Sequence, residues 1–442
     1  MRHEYINDWL EQLETPSEHS INTTPSCGPK HQQHHPPSPP ESQKRRRSMS
    51  ESAPPEPKRQ RVHEDPNKTP RGSSSRQGVG AFRTGSPTTS LPPPSEPQSQ
   101  SQSQASGRSS PTKALASLEI NPDGIKGRTL SLGDPRMPQK LTELLMELQM
   151  TTTSGFGLIS SDYKAEIREE AKRDPNFHLF LDHMFANSKI RDRIGPTPPV
   201  HLVTHLVAEA AECQLSRQNE AGWNMMVHHP LLLTAIYGPR RQDQLVGFAP
   251  CTTAKIIKEY VSTASQPKMV DFCVYMNSTV DEAASDAVQI LRRMLPAGVI
   301  NHTDFHPLRD RPIAISIETK SRGRAQSETA ELQLGTWHAA QWRFLEDLVS
   351  RTGGSLDGLP FLPAVIVQGH VWSFAATTRE GHRTDLWTEY CFGSTSDVAG
   401  VYKAIWGLQR LALWAREVYW PWFKKNGLGV KDDEEHIPNS AA

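Results

Sequence analysis

Hydrophobic and small residues alternate between Pro312 and Lys320, which predicts a β-strand with one buried face. Pro312 suits the first position of such a strand, where no ladder donor is needed. The residues that predict the buried face are Ile313, Ile315 and Ile317. Glu318 and Lys320 end the segment two residues apart, so both side chains are expected on one face of a sheet.

Apolar residues at helical spacing predict a largely helical first part and a mixed second part. The predicted helices cover 138–150, 161–173, 175–187, 199–226, 281–294, 328–349 and 397–420. Pro230 is expected to stop or kink the fourth of these. The predicted strands, besides the one above, cover 245–250, 268–276, 364–368 and 370–377. We therefore expect order to begin near residue 134.

Composition divides the chain into parts. Residues 1–112 hold 18 of the 36 prolines but only three of the 31 aromatic residues, so they predict a disordered tail. A helical subdomain is predicted over 134–230, an α/β (α+β) core over 231–425, and a loose C-terminal tail over 426–442.

Two basic clusters lie in the predicted tail, about ten residues apart, and predict a bipartite nuclear import signal. Their members are Lys44, Arg45, Arg46 and Arg47, then Lys58, Arg59 and Arg61. The alternative is a solvated charge run. The first interpretation predicts a nuclear protein that binds an import receptor.

Five scattered cysteines, with no C-x-x-C spacing, predict free and mostly buried thiols in a reducing compartment. The polar first ten residues are not typical of a secretory signal. No apolar run approaches the ~20 residues that a membrane helix needs, so no membrane association is expected.

The chemistry at the end of the Ile-rich strand has two interpretations. A carboxylate beside an ammonium is suited to metal-assisted phosphodiester cleavage, because the carboxylate holds a hard cation and the lysine orients water or neutralises phosphate. A solvated ion pair is the alternative, and three residues alone favour it.

The order of elements favours the first interpretation. The pattern αβββαβ, with Asp271 on one strand and Glu318-x-Lys320 on the next, resembles the PD-(D/E)XK nuclease-like superfamily. Residues from about 135 to 425 resemble its fungal nuclease-like domain proteins. The fragments that carry the resemblance are Asn219-Glu220-x-x-Trp223-Asn224, Val270-Asp271-Phe272, Asn301-His302-Thr303, Ile315-Ser316-Ile317-Glu318-Thr319-Lys320 and Gln333-Leu334-Gly335-Thr336-Trp337.

The resemblance implies a restriction-endonuclease-like core and a set of site residues. Asp271 and Glu318 would bind Mg²⁺ or Mn²⁺, with Glu220 as a further acidic ligand, and Lys320 would be the catalytic lysine. Gln333 takes the place of the glutamine in the Q-x-x-x-Y motif of RecB-like members. Trp337 replaces the tyrosine of that motif, which leaves a DNA contact by this pair open. The resemblance further implies a nucleic-acid partner, with DNA favoured over RNA.

Other groups could also carry chemistry. His302, Asp304 and His306 alternate and could approach a transition metal, although no fourth ligand is evident. His228 and His229 are interpreted as residues favoured by the end of a helix. Four tryptophans near the C-terminus are interpreted as core residues in preference to base-stacking ones. They are Trp406, Trp414, Trp420 and Trp422.

Three hypotheses about function follow. The first is a nuclear, Mg²⁺-dependent nuclease. The second is a catalytically inactive nuclease-fold module that binds nucleic acid or protein, because residues 113–442 carry a net charge of only about −3 where nucleic-acid binders usually show a basic footprint. The third is an interaction scaffold whose working part is the tail.

Overall fold

A seven-stranded mixed sheet forms the centre of the computed structural model, which describes residues 110–239, 244–261 and 269–430. The predictions that concern the disordered tail, both basic clusters and the last twelve residues therefore lie outside the described residues, apart from 110–112. The prediction of an α/β fold is confirmed.

The sheet runs in the order β1-β9-β8-β7-β6-β5-β4. Its strands are β1 (Ile125–Thr129), β4 (Val246–Pro250), β5 (Phe272–Met276), β6 (Ile313–Lys320), β7 (Leu362–Gln368), β8 (Val371–Glu380) and β9 (Arg383–Ser394). β1 is parallel to β9 and β6 to β7, whereas the other neighbours are antiparallel. A separate parallel pair consists of β2 (Ile159–Ser160) and β3 (Phe185–Ala186).

Helices surround this sheet. They are α1 (Pro111–Glu119), α2 (Gln139–Ser154), α3 (Lys164–Glu170), α4 (Ser188–Arg191), α5 (Val200–Leu215), α6 (Glu220–Trp223), α7 (His229–Tyr237), α8 (Glu282–Arg292), α9 (Arg324–Thr352), α10 (Val398–Trp414) and α11 (Trp420–Trp422). π-helical segments at Asn224–His228, Ala415–Tyr419 and Phe423–Gly427 continue the neighbouring helices.

Strand β6 is buried on both faces, so the prediction of a single buried face is wrong. All eight of its residues are buried. Helix α9 covers one side, where the Trp337 Nε1 donates to Ser316 Oγ at 3.0 Å and the Gln341 Nε2 donates to Ile313 O at 2.8 Å. The π-helical segment Ala415–Tyr419 also contacts β6. A strand enclosed in this way gives its final residues little freedom to move.

Several predicted helices are confirmed, but the one over 175–187 is wrong. That segment contains two 3₁₀ turns, Pro175–Leu179 and Asp182–Met184, and then strand β3. Phe180 between them has an extended backbone and a fully buried ring. Burial of this ring in the core outweighs the local preference for a helix.

The predicted helix over 199–226 is interrupted, and not at the place expected. It ends at Leu215, beyond which Arg217 has a φ of +52°, and helix α6 then begins after the cap residue Asn219. Pro230 is the second residue of α7, which directly follows the π-helical segment Asn224–His228, so the proline lies inside a continuous helical run. The helical run therefore continues past the proline to Tyr237.

Three elements at one end of the sheet were not predicted, namely α1, β1 and β9. Helix α1 and strand β1 precede residue 134, so the expectation that order begins there is wrong. β1 pairs along its whole length with β9, which the sequence analysis also missed. All described residues belong to one compact unit, and the proposed boundary near residue 230 stays a prediction.

The predictions about thiols and tryptophans agree with the structure. Among the described cysteines, Cys213, Cys251 and Cys273 are buried, Cys391 is exposed, and all four are free. The four C-terminal tryptophans are buried in the core. In the part of the chain that is described, no helix is both long and apolar enough to cross a membrane.

A buried arginine joins the helical first part to the end of the fold. Arg191 is 1% exposed, and its guanidinium donates to Leu158 O at 2.7 Å, Gly195 O at 2.6 Å and the Gln409 side-chain oxygen at 2.9 Å. Gln409 belongs to helix α10. The guanidinium thus satisfies backbone carbonyls that have few other donors within the core.

We expect Arg191→Met to lower the free energy of unfolding by about 3 kcal/mol, because these acceptors lose charged hydrogen-bond donors while staying buried. Urea denaturation measures the change. The exposed Arg193 two residues away provides the matched control Arg193→Met, which should leave stability nearly unaltered. Equal stability of both variants would contradict the role given to Arg191.

Candidate active site

A cavity of about 670 Å³ opens where strand β6 ends, and the five site residues predicted from the sequence all line it. They are Glu220, Asp271, Glu318, Lys320 and Gln333. These residues come from helix α6, the start of β5, the end of β6 and the first half of α9. The fold therefore brings together side chains that lie up to 113 positions apart in the sequence.

Strand pairing fixes the position of Asp271. It directly precedes β5, which runs antiparallel to β6 with Phe272 opposite Ile317, and its own N–H donates to Ile317 O at 3.1 Å. Its Oδ2 accepts from the Thr319 N–H at 2.8 Å and from the Thr319 hydroxyl at 2.9 Å. The carboxylate of Asp271 is thus locked beside the last residues of β6, with Oδ1 less firmly held.

Glu318 is the most deeply buried acidic side chain of the cavity. Its exposed fraction is 0%, and neither of its carboxylate oxygens accepts a hydrogen bond of acceptable geometry. Lys320 Nζ nevertheless lies 2.5 Å from Glu318 Oε1 as an ion pair. Burial raises the pKa of Glu318 well above its usual value, the charge of Asp271 raises it further, and Lys320 offsets this only in part.

The Lys320 ammonium lies among oxygen atoms. It donates to Thr319 O at 2.7 Å, and it is 3.4 Å from Glu220 Oε1 in addition to its contact with Glu318. Burial opposes the charged form of Lys320, but the carboxylates outweigh it and raise the pKa. The Lys320 ammonium thus occupies the position where oxygens of Thr319, Glu220 and Glu318 converge.

Glu220 is placed by the start of helix α6. Asn219 caps this helix through its side-chain oxygen, which accepts from the Gly222 N–H at 2.9 Å. The Glu220 side chain is 39% exposed. Burial raises its pKa, and the nearby Lys320 opposes this shift. Glu220 therefore faces both the solvent and the cavity.

Gln333 lies at the rim of the cavity and not among the carboxylates. Its Nε2 donates to Met269 O at 3.1 Å, which ties helix α9 to the segment before Asp271. Trp337, one turn later, is fully buried and bonds to Ser316. The indole of Trp337 is thus a packing group, and a contact with nucleic acid through this tryptophan is excluded by its burial.

A second layer behind the acidic residues was not predicted. The Asn224 side-chain oxygen lies 2.9 Å from His228 Nδ1, and its amide nitrogen donates to Asp271 Oδ1 at 3.5 Å. His228 Nε2 is 3.0 Å from Gly369 O. His228 is 1% exposed, and burial lowers its pKa to about 4. The interpretation of His228 as a helix-end residue is wrong, because the π-helical segment continues into α7 and buries the ring.

The alternative metal site at His302, Asp304 and His306, which the sequence does not favour, is not formed. His302 is fully buried with its ring centroid 4.3 Å from that of Trp337, while Asp304 and His306 are exposed. Within the described ranges, no group of three or more His, Cys, Asp or Glu side chains is already close enough together to hold a metal. The acidic residues of the cavity do not form such a group either, since the Lys320 ammonium lies between Glu318 and Glu220.

The donor set of the cavity still fits a hard divalent cation. Such an ion prefers carboxylate and carbonyl oxygens and keeps several waters. Glu318 offers a buried carboxylate whose Oε1 is paired with Lys320 and whose Oε2 has no hydrogen-bond donor, and Asp271 and Glu220 line the same cavity. Among the described groups, Lys320 alone forms an ion pair with Glu318, and its ammonium would have to move away for a cation to bind there.

Comparison with protein families identifies the class to which this fold and cavity belong. A family model for the PD-(D/E)XK nuclease superfamily matches residues 166–420, which is more than half of the chain. The chain belongs to the PD-(D/E)XK nuclease superfamily. Comparisons with curated proteins and with solved structures found no match.

Proposed function

We propose that the protein is a metal-dependent nuclease that hydrolyses phosphodiester bonds of nucleic acid. The observation that carries the proposal is the Glu318 carboxylate, which is buried in an open cavity with Lys320 Nζ 2.5 Å from Oε1 and no hydrogen-bond donor at Oε2. Lys320 offsets the cost of burying this carboxylate only in part, and a bound cation would relieve the remainder. Membership in the nuclease superfamily supports the same conclusion.

Asp271, Glu318 and Glu220 would hold Mg²⁺, or Mn²⁺ through the same ligands. When bound, the cation would polarise the phosphate and favour ionisation of a water. Thr319 keeps Asp271 oriented through two hydrogen bonds. Lys320, once it leaves Glu318, would hold the attacking water or neutralise charge on the scissile phosphate. Gln333 would fix the rim of the cavity.

Lys320→Met tests this division of roles. We expect cleavage to fall by about 10²–10⁴-fold, the range for loss of a group that assists proton transfer. Affinity for Mg²⁺ should not weaken, because the substitution removes the ammonium that competes for Glu318. Cleavage assays on DNA and RNA substrates and calorimetry measure the two effects, with the exposed Lys140→Met as control. Unaltered cleavage in Lys320→Met, or no metal-dependent cleavage by wild type, would contradict the proposal.

A nuclease-fold binding module without catalysis is the second candidate. The weak net charge and the pairing of Lys320 with Glu318 and Glu220 favour it. It predicts DNA or RNA binding that does not depend on metal and persists in Asp271→Ala. Metal-dependent cleavage by the wild type would eliminate this candidate.

We also propose that the protein acts in the nucleus, on DNA in preference to RNA, and enters through an import receptor. The motivation is the pair of basic clusters at 44–47 and 58–61, which lie outside the described residues. A fluorescent fusion in which both clusters are replaced by alanine should lose nuclear accumulation. Retained accumulation would remove this support.

A further inference from the structure

One wall of the cavity is a face of the helical run that begins with α6 and continues through the π-helical segment into α7. Ala221, Met225 and His229 lie at intervals of four residues along this run, and all three are exposed and line the cavity. The run is fixed beside the acidic residues, because the Asn224 amide nitrogen donates to Asp271 Oδ1 at 3.5 Å. We call the face formed by Ala221, Met225 and His229 the helical wall.

The helical wall offers apolar and flat surfaces to a ligand. Met225 is 78% exposed, and the His229 ring lies 5.3 Å from the ring of Phe248. Met269 also lines the cavity and is 39% exposed. A methionine thioether is flexible and polarisable, and it makes favourable contacts with aromatic rings. Two exposed methionines and an imidazole in one cavity are therefore suited to bind a flat aromatic group.

The charges of the cavity are not suited to hold several phosphate groups. Lys320 is the only lysine or arginine among the described residues that line it, and its ammonium lies 2.5 Å from Glu318 Oε1 and 3.4 Å from Glu220 Oε1. Asp271 adds a third acidic side chain. Proteins that hold a duplex by its backbone neutralise several phosphates with lysine and arginine. A strand that enters this cavity therefore needs another source of affinity.

Contacts with the faces of bases are such a source. Stacking of a base on a protein side chain increases affinity by about tenfold or more, whatever the sequence. The cavity of about 670 Å³ is also large enough for a small aromatic ligand, since pockets for such ligands measure roughly 300–1,000 Å³.

The helical wall lies close to the acidic residues. Met225 follows Glu220 by five residues, which is about 7 Å along a helix axis. Met269 precedes Asp271 by two residues. A phosphate held beside Asp271 would thus bring its own base, or the next one, to the helical wall.

We propose that the helical wall holds an unpaired base of the substrate, so that the protein acts on single-stranded or locally unpaired nucleic acid in preference to an intact duplex. In a duplex each base is stacked between its neighbours and only its edges are accessible, whereas an unpaired base presents a face. The proposal rests on the nuclease function proposed above and adds the part of the substrate that the cavity recognises.

Cleavage of one hairpin oligonucleotide tests the preferred form of the substrate. The hairpin has a paired stem and a single-stranded tail, so the same molecule presents both forms to the full chain. With Mg²⁺, we expect cuts in the tail to be about tenfold or more faster than cuts within the stem, because a stem base must first be unpaired and unstacked. Equal rates in stem and tail would contradict the preference.

A binding cycle tests the helical wall itself. Its probes are two fluorescent strands of equal length, one of thymidylate and one of abasic nucleotides, which carry the same number of phosphates. Anisotropy is measured with Ca²⁺ in place of Mg²⁺, and gels check that the strands stay intact. Wild type should bind the thymidylate strand about tenfold or more tightly than the abasic strand. Met225→Ala should lose most of this difference, and Met225→Phe, which keeps a flat face for the base, should retain it.

Met294→Ala is the matched control, because Met294 is also largely exposed, at 55%, but does not line the cavity. This variant should keep the full difference between the two strands. Urea denaturation checks that both alanine variants are as stable as the wild type. A loss of affinity in Met225→Ala that is equal for both strands would overturn the proposal, because the residue would then not act through the base.

The outcomes separate this inference from the nuclease proposal. Base-dependent binding that Met225→Ala removes, without cleavage of any nucleic acid, would support the helical wall and refute the nuclease. Metal-dependent cleavage together with equal binding of thymidylate and abasic strands would refute the helical wall and leave the nuclease standing. Absence of binding to either strand would overturn the role given to the helical wall.

Discussion

Glu318→Gln should abolish Mg²⁺ binding and reduce metal-dependent cleavage by about 10³-fold or more, which corresponds to about 4 kcal/mol of transition-state stabilisation. The substitution keeps the size of the side chain but removes the charge that a divalent cation requires. Cleavage rates at saturating Mg²⁺ and calorimetric titration measure the two losses on the same protein preparation.

The same variant should fold at least as well as the wild type without metal. Burial raises the pKa of Glu318, so its charged form opposes folding at neutral pH, and a neutral amide does not. Glu331→Gln is a matched control, since this glutamate on α9 is also buried enough for its pKa to be raised but does not line the cavity. A Glu318→Gln enzyme that binds Mg²⁺ normally would refute the proposed site.

Mild acid should destabilise the fold strongly. Burial lowers the pKa of His228 to about 4, that of His338 to about 3, and that of His302 well below its usual value. In the unfolded chain each takes up a proton near pH 6.5. Below that pH the unfolded state therefore binds more protons, and each histidine removes about 1.4 kcal/mol of stability per pH unit.

Glu318 acts in the opposite direction, because its raised pKa lets the folded state take up a proton as the pH falls towards 4.5. Because the unfolded histidines are half protonated at pH 6.5, the three together remove about 3 kcal/mol between pH 6.5 and 5.5, and Glu318 reduces the net loss to about 2 kcal/mol. Urea denaturation at pH 7.5, 6.5 and 5.5 measures it. His338→Gln, which can keep the contact with Thr377 Oγ1, should flatten the profile by about one histidine. A stability that stays constant down to pH 5.5 would contradict the buried neutral histidines.

Part of the cavity was predictable from strand patterns, because Glu318 and Lys320 end a strand with strong alternation, whereas Asp271, Glu220 and Gln333 were placed by the resemblance to the nuclease superfamily. Ile313, Ile315 and Ile317 located β6, and alternation then placed Glu318 and Lys320 on one face. The ion pair between these two side chains bears out that placement. Their catalytic roles stay predictions.

The elements that were missed have mixed local patterns. Strand β9 carries Asp385 and Glu389 among its apolar residues, and β1 contains two cations around Gly127. Neither shows the regular alternation that identifies a strand; β1 is held extended by its pairing with β9, and β9 by its pairing with both β1 and β8. His228 was misread for a related reason. A π-helical turn changes which side chains point toward the core. A pattern based on 3.6 residues per turn does not predict that change.

The pairing of β1 with β9 also bears on how the chain can be divided. The superfamily match begins at residue 166, whereas β1 lies at 125–129 and helix α2 at 139–154. A fragment cut at the start of the match would leave the N–H and C=O groups along one side of β9 unpaired. Such an open edge is a template for strand addition from another molecule, so the fragment would be prone to aggregate. The physical unit of folding is thus longer than the region that family membership defines.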